Sequence, residues 1–247
     1  MFKGHLLSYN NAKTIKGEPL GYATFIFYGS PAKTSGFNSC ANSGLCADIC
    51  IYYQGMGRFK NTMKARIRKT RLYFEDRPAF LDLMRIDIEK AIKWAYKKNL
   101  TPVFRLDGTT DIGMARKLAK EFPHVRFYDY TKIYRRIMQN AHDNWHLTYS
   151  LSEKTTDAQL RTLLGSRHNI AVPVVNVPSF SKPITFKLSN LNSKFVDRSS
   201  VNGDQNDLRF LDGKGKIVFL KVKGKEAREG FTFKNIDRLN KRLRMVV

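Results

Sequence analysis

Four short apolar runs recur at nearly constant spacing through the middle of the chain, and this rhythm limits the possible folds more than any other feature. They are residues 102–106 (PVFRL), 124–128 (HVRFY), 146–149 (HLTY) and 170–175 (IAVPVV), and their starts lie 22, 22 and 24 residues apart. Segments of helical character separate them, at 112–121, 131–140 and 156–164. A strand, a helix and a strand again is the pattern of parallel pairing, because a parallel neighbour can be reached only by a long crossover. Two more β-rich runs flank the series, Gly21–Tyr28 (GYATFIFY) before it and Lys216–Val222 (KIVFLKV) after it. Six mainly parallel strands suffice for an α/β fold built as a partial (β/α) barrel. An open parallel sheet is the alternative.

The stretch between the first two strands is longer than one crossover needs. Helical sequence starts near Lys60, and Asp76 has the character of an N-cap with Pro78 in the first turn. From Pro78 to Lys98, the residues Phe80, Leu83, Met84, Ile88, Ile92 and Ala95 follow helical spacing and predict a buried stripe. Residues 176–206 are rich in Ser, Asn, Pro and Lys and predict a long surface loop or an irregular lid. At 247 residues the chain suits one substantial core. It reads as a single domain: a βα core to residue 175 that includes a cysteine loop at 29–57, then an irregular segment, a hairpin and a basic tail.

The charge is far from balanced. There are 44 Lys and Arg against 21 Asp and Glu, a formal net charge of +23. Such a surplus repels itself in a compact state, and its commonest partner is a polyanion. DNA or RNA is therefore the expected partner, bound as its phosphates exchange counterions for Lys and Arg. The ends carry most of the surplus, +8 over residues 1–75 and +9 over residues 182–247, against +6 over the longer stretch 76–181. No apolar run approaches the roughly 20 residues needed to span a membrane, and the N-terminus lacks the pattern of a secretion signal. A cytoplasmic protein without a membrane partner is expected.

Three constellations could carry chemistry. Cys40, Cys46 and Cys50, spaced C-x5-C-x3-C, are all the cysteines of the chain and fall in one loop after the first strand. Thiolates select zinc, copper(I) or iron–sulfur clusters. The possibilities are an iron–sulfur cluster with one open iron, a zinc site completed by one of His5, His124, His142, His146 and His168, or three reduced thiols. The second constellation lies at the strand ends, where parallel α/β folds bind ligands. Asp107, Asp129 and Glu153 each follow a strand and are candidate catalytic carboxylates. Gly108, Thr109, Thr110, Ser150 and Ser152 are candidate cofactor contacts. The third is basic: Arg58, Lys60, Lys64, Arg66, Arg68, Lys69 and Arg71 crowd one predicted helix and its approach. Lys60, Lys64, Arg68 and Arg71 share a face that could track a phosphate backbone, or simply be solvated. Tyr52, Tyr53 and Phe59 beside them could stack on unpaired bases or join the core. A fourth segment, Gly203–Asp212 (GDQNDLRFLD), offers Asp204, Asp207 and Asp212 without the spacing of a calcium loop, and Asp212-Gly213 reads as a hairpin turn. The chain has no phosphate-binding glycine loop, no nucleophile elbow and no H-E-x-x-H motif.

Several segments together, LLSYNNAKTIKGEPLGY, ARIRKTRLYFEDR, RLDGTTDI, FYDYTK, HLTYSLSE and GDQNDLRFLD, resemble the phage gene product eighty-eight family over most of residues 6–212. That resemblance implies a phage, prophage or plasmid origin and action in a bacterial cytoplasm. More distantly, three cysteines in the loop after the first strand of a partial barrel resemble the radical S-adenosylmethionine enzymes, with a looser spacing than theirs. This second resemblance implies a 4Fe–4S cluster on Cys40, Cys46 and Cys50. It also implies S-adenosylmethionine held by the ends of the second and fourth strands, at Gly108–Thr110 and at Ser150 and Ser152. Three functions follow as expectations. One is a radical-type iron–sulfur enzyme modifying nucleic acid or nucleotides. Another is a non-catalytic DNA- or RNA-binding protein, with structural zinc or no metal, serving replication or countering host defence. The weakest is a metal-dependent nuclease built on Asp107, Asp129 and Glu153.

Overall fold

The computed structural model describes residues 4–9, 11–12, 14–175, 183–188, 197–222, 232–233 and 236–246. The strands are β1 (Leu7–Ser8), β2 (Tyr22–Phe27), β3 (Thr101–Arg105), β4 (Arg126–Thr131), β5 (Trp145–Ser150), β6 (Asn169–Val174), β7 (Thr185–Phe186), β8 (Arg198–Asn202) and β9 (Ile217–Lys221). The helices are α1 (Lys60–Glu75), α2 (Arg77–Lys97), α3 (Ala115–Glu121), α4 (Tyr134–Met138), α5 (Asp157–Gly165) and α6 (Ile236–Val246). The strands follow the order β1-β2-β3-β4-β5-β6-β9-β8-β7, which has two ends and is not closed. All six runs expected as strands are strands. The pairs β2–β3, β3–β4, β5–β6 and β6–β9 are parallel, as the βα rhythm requires. The chain is thus α/β with a mainly parallel sheet. Antiparallel pairing occurs between β1 and β2 and between β7 and β8. Of the expected loop or lid at 176–206, the parts 176–182 and 189–196 lie outside the described residues, and the remainder contains β7 and β8.

The chain divides into two compact units. The first comprises residues 1–41, 50–129 and 140–146; the second comprises 42–49, 130–139 and 147–247. In the first, the aromatic residues of the strands stack on one another: Phe25 on Phe104 at 5.6 Å between ring centres, and Phe104 on Phe127 at 5.5 Å. α2 covers them with the predicted stripe. Phe80, Met84, Ile88 and Ala95 are buried, and Leu83 and Ile92 are half-buried at its margin. Asp76 caps α2 by accepting from the Ala79 amide at 3.1 Å, and Pro78 occupies the first turn, where no amide hydrogen is missed. The short strand β1 is tied down by α2 and α1. Asp87 accepts from the amides of Leu6 and Leu7, and the Lys69 ammonium donates to the Leu6 carbonyl at 2.8 Å.

In the second unit the expected hairpin at Asp212-Gly213 is absent. β8 and β9 run parallel, with Ser200 beside Ile217 and Asn202 beside Phe219. The segment between them, Gly203–Lys216, therefore acts as a compact crossover. Gly213 takes a left-handed φ of 75° within it, and the buried Arg209 guanidinium pairs with Asp212 at 3.0 Å. Asp204 accepts from the Lys221 amide at 2.7 Å, which engages it in the backbone of β9. Burial pushes the Asp212 carboxyl up to about 6, against the pull of Arg209. The basic tail forms α6, whose Leu239, Leu243 and Val246 are buried against α5 while Lys241 and Arg244 face solvent.

β8 reads as polar (RSSVN), and its first residue explains why it belongs to the core. The Arg198 guanidinium is buried under the C-terminal end of α5. It donates to the carbonyls of Leu163 (2.8 Å), Leu164 (3.0 Å), Ser166 and His168 (2.8 Å). The last carbonyls of a helix lack intrahelical partners and carry the negative end of its dipole, so a cation is the best cap for them. Burial pulls the Arg198 guanidinium down to about 10, so it stays charged at neutral pH.

Both buried groups can be tested by substitution. R198M leaves several buried carbonyls unpaired at about 1–3 kcal/mol each, so chemical denaturation should show a loss of about 3 kcal/mol or more. R198K should recover little of it, because one ammonium cannot reproduce the planar fork. A melting midpoint unmoved by R198M would mean the cap is idle. For Asp212, the folded carboxyl holds its proton above its ordinary range. Its contribution to stability is complete below about pH 4 and fades as the pH rises through about 6. D212N should flatten that part of the stability–pH curve, whatever it does to the overall level. An identical slope in both proteins would contradict the assignment.

Candidate functional site

The loops that leave the parallel strands hold most of the residues singled out above, and the first unit contains those after β2 and β3. β3 runs into Asp107, which is buried. Its carboxylate accepts from Thr110 Oγ1 at 2.6 Å, the Ile112 amide at 2.9 Å and the Gly113 amide at 2.6 Å. Three donors on one carboxylate make it the organiser of the 107–113 turn. Gly108 presses against β2, where a Cβ would lie 2.4 Å from Ile26 Cγ2 and 2.8 Å from the Phe27 carbonyl. Its amide donates to that carbonyl at 3.0 Å. Thr109 Oγ1 donates to the Gly29 carbonyl at 2.6 Å. The polar groups of Gly108, Thr109 and Thr110 thus lock this turn onto the loop after β2 and are turned inward.

Asp129 is also buried. Its carboxylate accepts from the Asp107 amide at 2.7 Å and from Trp145 Nε1 at 2.9 Å. Burial, and then the neighbouring Asp107 charge, raise the Asp129 carboxyl well above its ordinary value. The hydrogen bonds of Asp129 go to the protein's own backbone and indole.

In the second unit the residues 42–49, with Cys46 among them, lie on the loops that follow β4 and β5. The Leu45 amide donates to Glu153 Oε1 at 2.9 Å, and Asn42 Nδ2 donates to the Lys132 carbonyl at 3.1 Å. A Cβ on Gly44 would sit 1.7 Å from Glu153 Oε1, so only glycine admits the carboxylate there. Gly44 also has a left-handed φ of 47°, which glycine adopts without strain. Ser150 Oγ accepts from the Lys132 ammonium at 2.9 Å. Ser152 offers its amide to Thr155 Oγ1 at 3.2 Å. Glu153 is therefore a clasp on the cysteine loop. The signal for this contact in the sequence is Gly44 in the loop opposite.

The three cysteines differ in exposure. Cys40 and Cys46 are half-buried and Cys50 is buried. Among the described residues, which include all three, no group of three or more His, Cys, Asp or Glu side chains is placed to hold a metal ion. Burial raises the Cys40 thiol above its usual range. Asp204, Asp207 and Asp212 likewise form no cation site, because Asp204 bonds the β9 backbone and Asp212 pairs with Arg209.

The basic constellation divides in two. Lys60, Lys64, Arg68 and Arg71 are all exposed along α1, and Arg58 is exposed just before it. Arg71 shares its charge with Glu75 across one helical turn, at 2.7 Å. Arg66 and Lys69 point the other way. The Arg66 guanidinium lies over the rings of Tyr28 (4.8 Å) and Tyr52 (5.3 Å). Burial beneath β1 brings Lys69 down to about 8. These two hold the fold together and are turned away from solvent. No Asp or Glu occurs between Asp48 and Glu75, so Lys60, Lys64 and Arg68 have no acidic neighbour within this stretch of the chain.

The sequence matches the family described as Gene product 88 over residues 5–235. The chain belongs to the Gene product 88 family. That match spans the strand-end carboxylates, the three cysteines and the basic face of α1. No curated protein and no solved structure matches the chain. Nothing in these comparisons supports the radical S-adenosylmethionine resemblance. Among the described residues no helix is long and apolar enough to cross a membrane.

The strand-end carboxylates give a direct test. In D129N one amide oxygen must serve where two carboxylate oxygens did, and the new NH2 meets a donor. The loss is about 1–3 kcal/mol, read as a lower denaturation midpoint. A D129N protein as stable as its parent would show that Asp129 is held for another purpose.

Proposed function

We propose that this member of the Gene product 88 family is a non-catalytic nucleic-acid-binding protein that uses the exposed face of α1 on the phosphate backbone. One observation carries the reading. Lys60, Lys64 and Arg68 stand at successive turns of one helix, exposed, with Arg58 leading in and no acidic residue nearby in the chain. Eight residues of helix cover about 12 Å, enough to follow a few phosphates along one strand. Asp107 and Asp129 speak for a binder over an enzyme, because their buried carboxylates are hydrogen-bonded within the protein. In this reading the protein needs no cluster and no S-adenosylmethionine. It works in the bacterial cytoplasm during phage replication or against a host defence, and its sheet curves as a partial barrel that serves as scaffold.

Phosphate contacts position a protein without reading bases. The triple variant K60Q/K64Q/R68Q should therefore bind unrelated sequences more weakly and by about the same factor. The slope of log affinity against log salt should become shallower by up to about 0.9 for each phosphate that is no longer neutralised on duplex DNA. Titrations of both proteins at several salt concentrations measure it. An unchanged slope would remove α1 from the interface and direct attention to the exposed cations of α6, Lys241 and Arg244.

A further inference from the structure

The segment that leads into α1 exposes far more apolar surface than a solvated loop has reason to. Between Ile51 and Phe59, four large side chains stand out: Ile51 (55% exposed), Tyr53 (42%), Met56 (70%) and Phe59 (48%). Scattered exposed apolar residues are ordinary, but four within nine residues mark a contact surface. They are not on a loose strand of chain. Residues 51–53 and 55–58 form two successive 3-10 turns, fastened from below. Tyr52 is fully buried, and Arg66 of α1 stacks over its ring. At Gly57 a Cβ would come 1.8 Å from the Tyr52 carbonyl and 3.1 Å from Arg66 Nη1, so the second turn is pressed onto the first. Buried Tyr52 and Arg66 thus hold the neighbouring rings of Tyr53 and Phe59 outward. Tyr53 packs edge-on against Tyr52 at 4.9 Å between ring centres.

What surrounds these rings decides the occupant. Arg58 lies over the Phe59 ring at 5.4 Å, and Lys60 and Lys64 follow on the exposed face of α1. A second copy of this chain packed on the same surface would bring like cations together, with no acidic residue between Asp48 and Glu75 to balance them. Alternating rings and cations with no acid is what an unpaired strand of nucleic acid requires: rings for the bases, cations for the phosphates. In a duplex the bases are already stacked on one another and offer the rings nothing.

We infer that Tyr53 and Phe59 form a base-stacking platform, so that the ligand is single-stranded DNA or RNA rather than duplex. The inference rests on the nucleic-acid reading above and narrows it. Arg58, Lys60 and Lys64 hold the phosphates on either side of the stacked bases, and Ile51 and Met56 cover the edges of the platform.

The test uses the full chain, a labelled oligothymidylate, the same strand paired with its complement, and anionic lipid vesicles as a third probe. The parent protein should prefer the single strand. Y53A/F59A should lose about tenfold or more in affinity for it, since each stacked base contributes about 1–3 kcal/mol. Its affinity for the duplex should stay within about twofold, and its salt slope should not change. Y53W/F59W should restore single-strand binding, which shows that an aromatic face is needed and that the alanine variant had not merely misfolded. Equal losses on single strand and duplex, no loss on either, or failure of the tryptophan variant would each overturn the platform while leaving nucleic-acid binding intact. A parent protein that binds neither nucleic acid but binds the vesicles would overturn the nucleic-acid reading itself.

Discussion

Parallel pairing makes the chain leave successive strands at the same end of the sheet, and every loop there must find partners for its buried polar groups. In the first unit that task falls to Asp107, whose carboxylate gathers a hydroxyl and two amides of the turn after β3, while Asp129 accepts the Asp107 amide from the side. In the second unit Glu153 does the equivalent work for the cysteine loop through the Leu45 amide. A buried carboxylate is costly unless it is hydrogen-bonded. Asp107 after β3 and Asp129 within β4 are both buried, and both meet that demand through the protein's own groups. The same position in other parallel folds serves ligands. Here its donors and acceptors go to the protein's own loops.

The βα rhythm was legible because each central strand is a short apolar run bounded by polar turns, and a strand buried on both faces needs nothing else. α2 was legible for the same reason, its stripe of Phe80, Met84, Ile88 and Ala95 being continuous. β8 was not, since its sequence is polar and its buried role belongs to Arg198, whose partners are the carbonyls of a helix more than thirty residues earlier. No local pattern announces such a cap. The misread hairpin has a related cause: Asp212-Gly213 has turn chemistry, but whether a turn reverses the chain or belongs to a crossover depends on which strands pair. α6 did carry a signal, in Leu239, Leu243 and Val246 at helical spacing, and the surrounding charge obscured it.

For the candidate site, burial separates residues that sequence spacing had grouped together. The basic run on α1 was read as a group, and burial then divided it by helical phase, with Lys60, Lys64 and Arg68 outward and Arg66 and Lys69 inward. The inward pair is as informative as the outward one. Arg66 on Tyr52 fixes the 3-10 turns, and those turns present Tyr53 and Phe59 beside the cations. A large net charge becomes a usable surface only where the fold keeps acids away and holds the side chains in place.

The central claim is that nucleic acid lies along the segment from Ile51 to Arg68. Hydrogen–deuterium exchange of the full chain, with and without a saturating oligothymidylate, tests it without any substitution. The account predicts slowed exchange in the amides of residues 51–68 and unchanged exchange in the 107–113 turn, whose Ile112 and Gly113 amides are already engaged by Asp107. Protection of the strand-end turns with no change between Ile51 and Arg68 would contradict it.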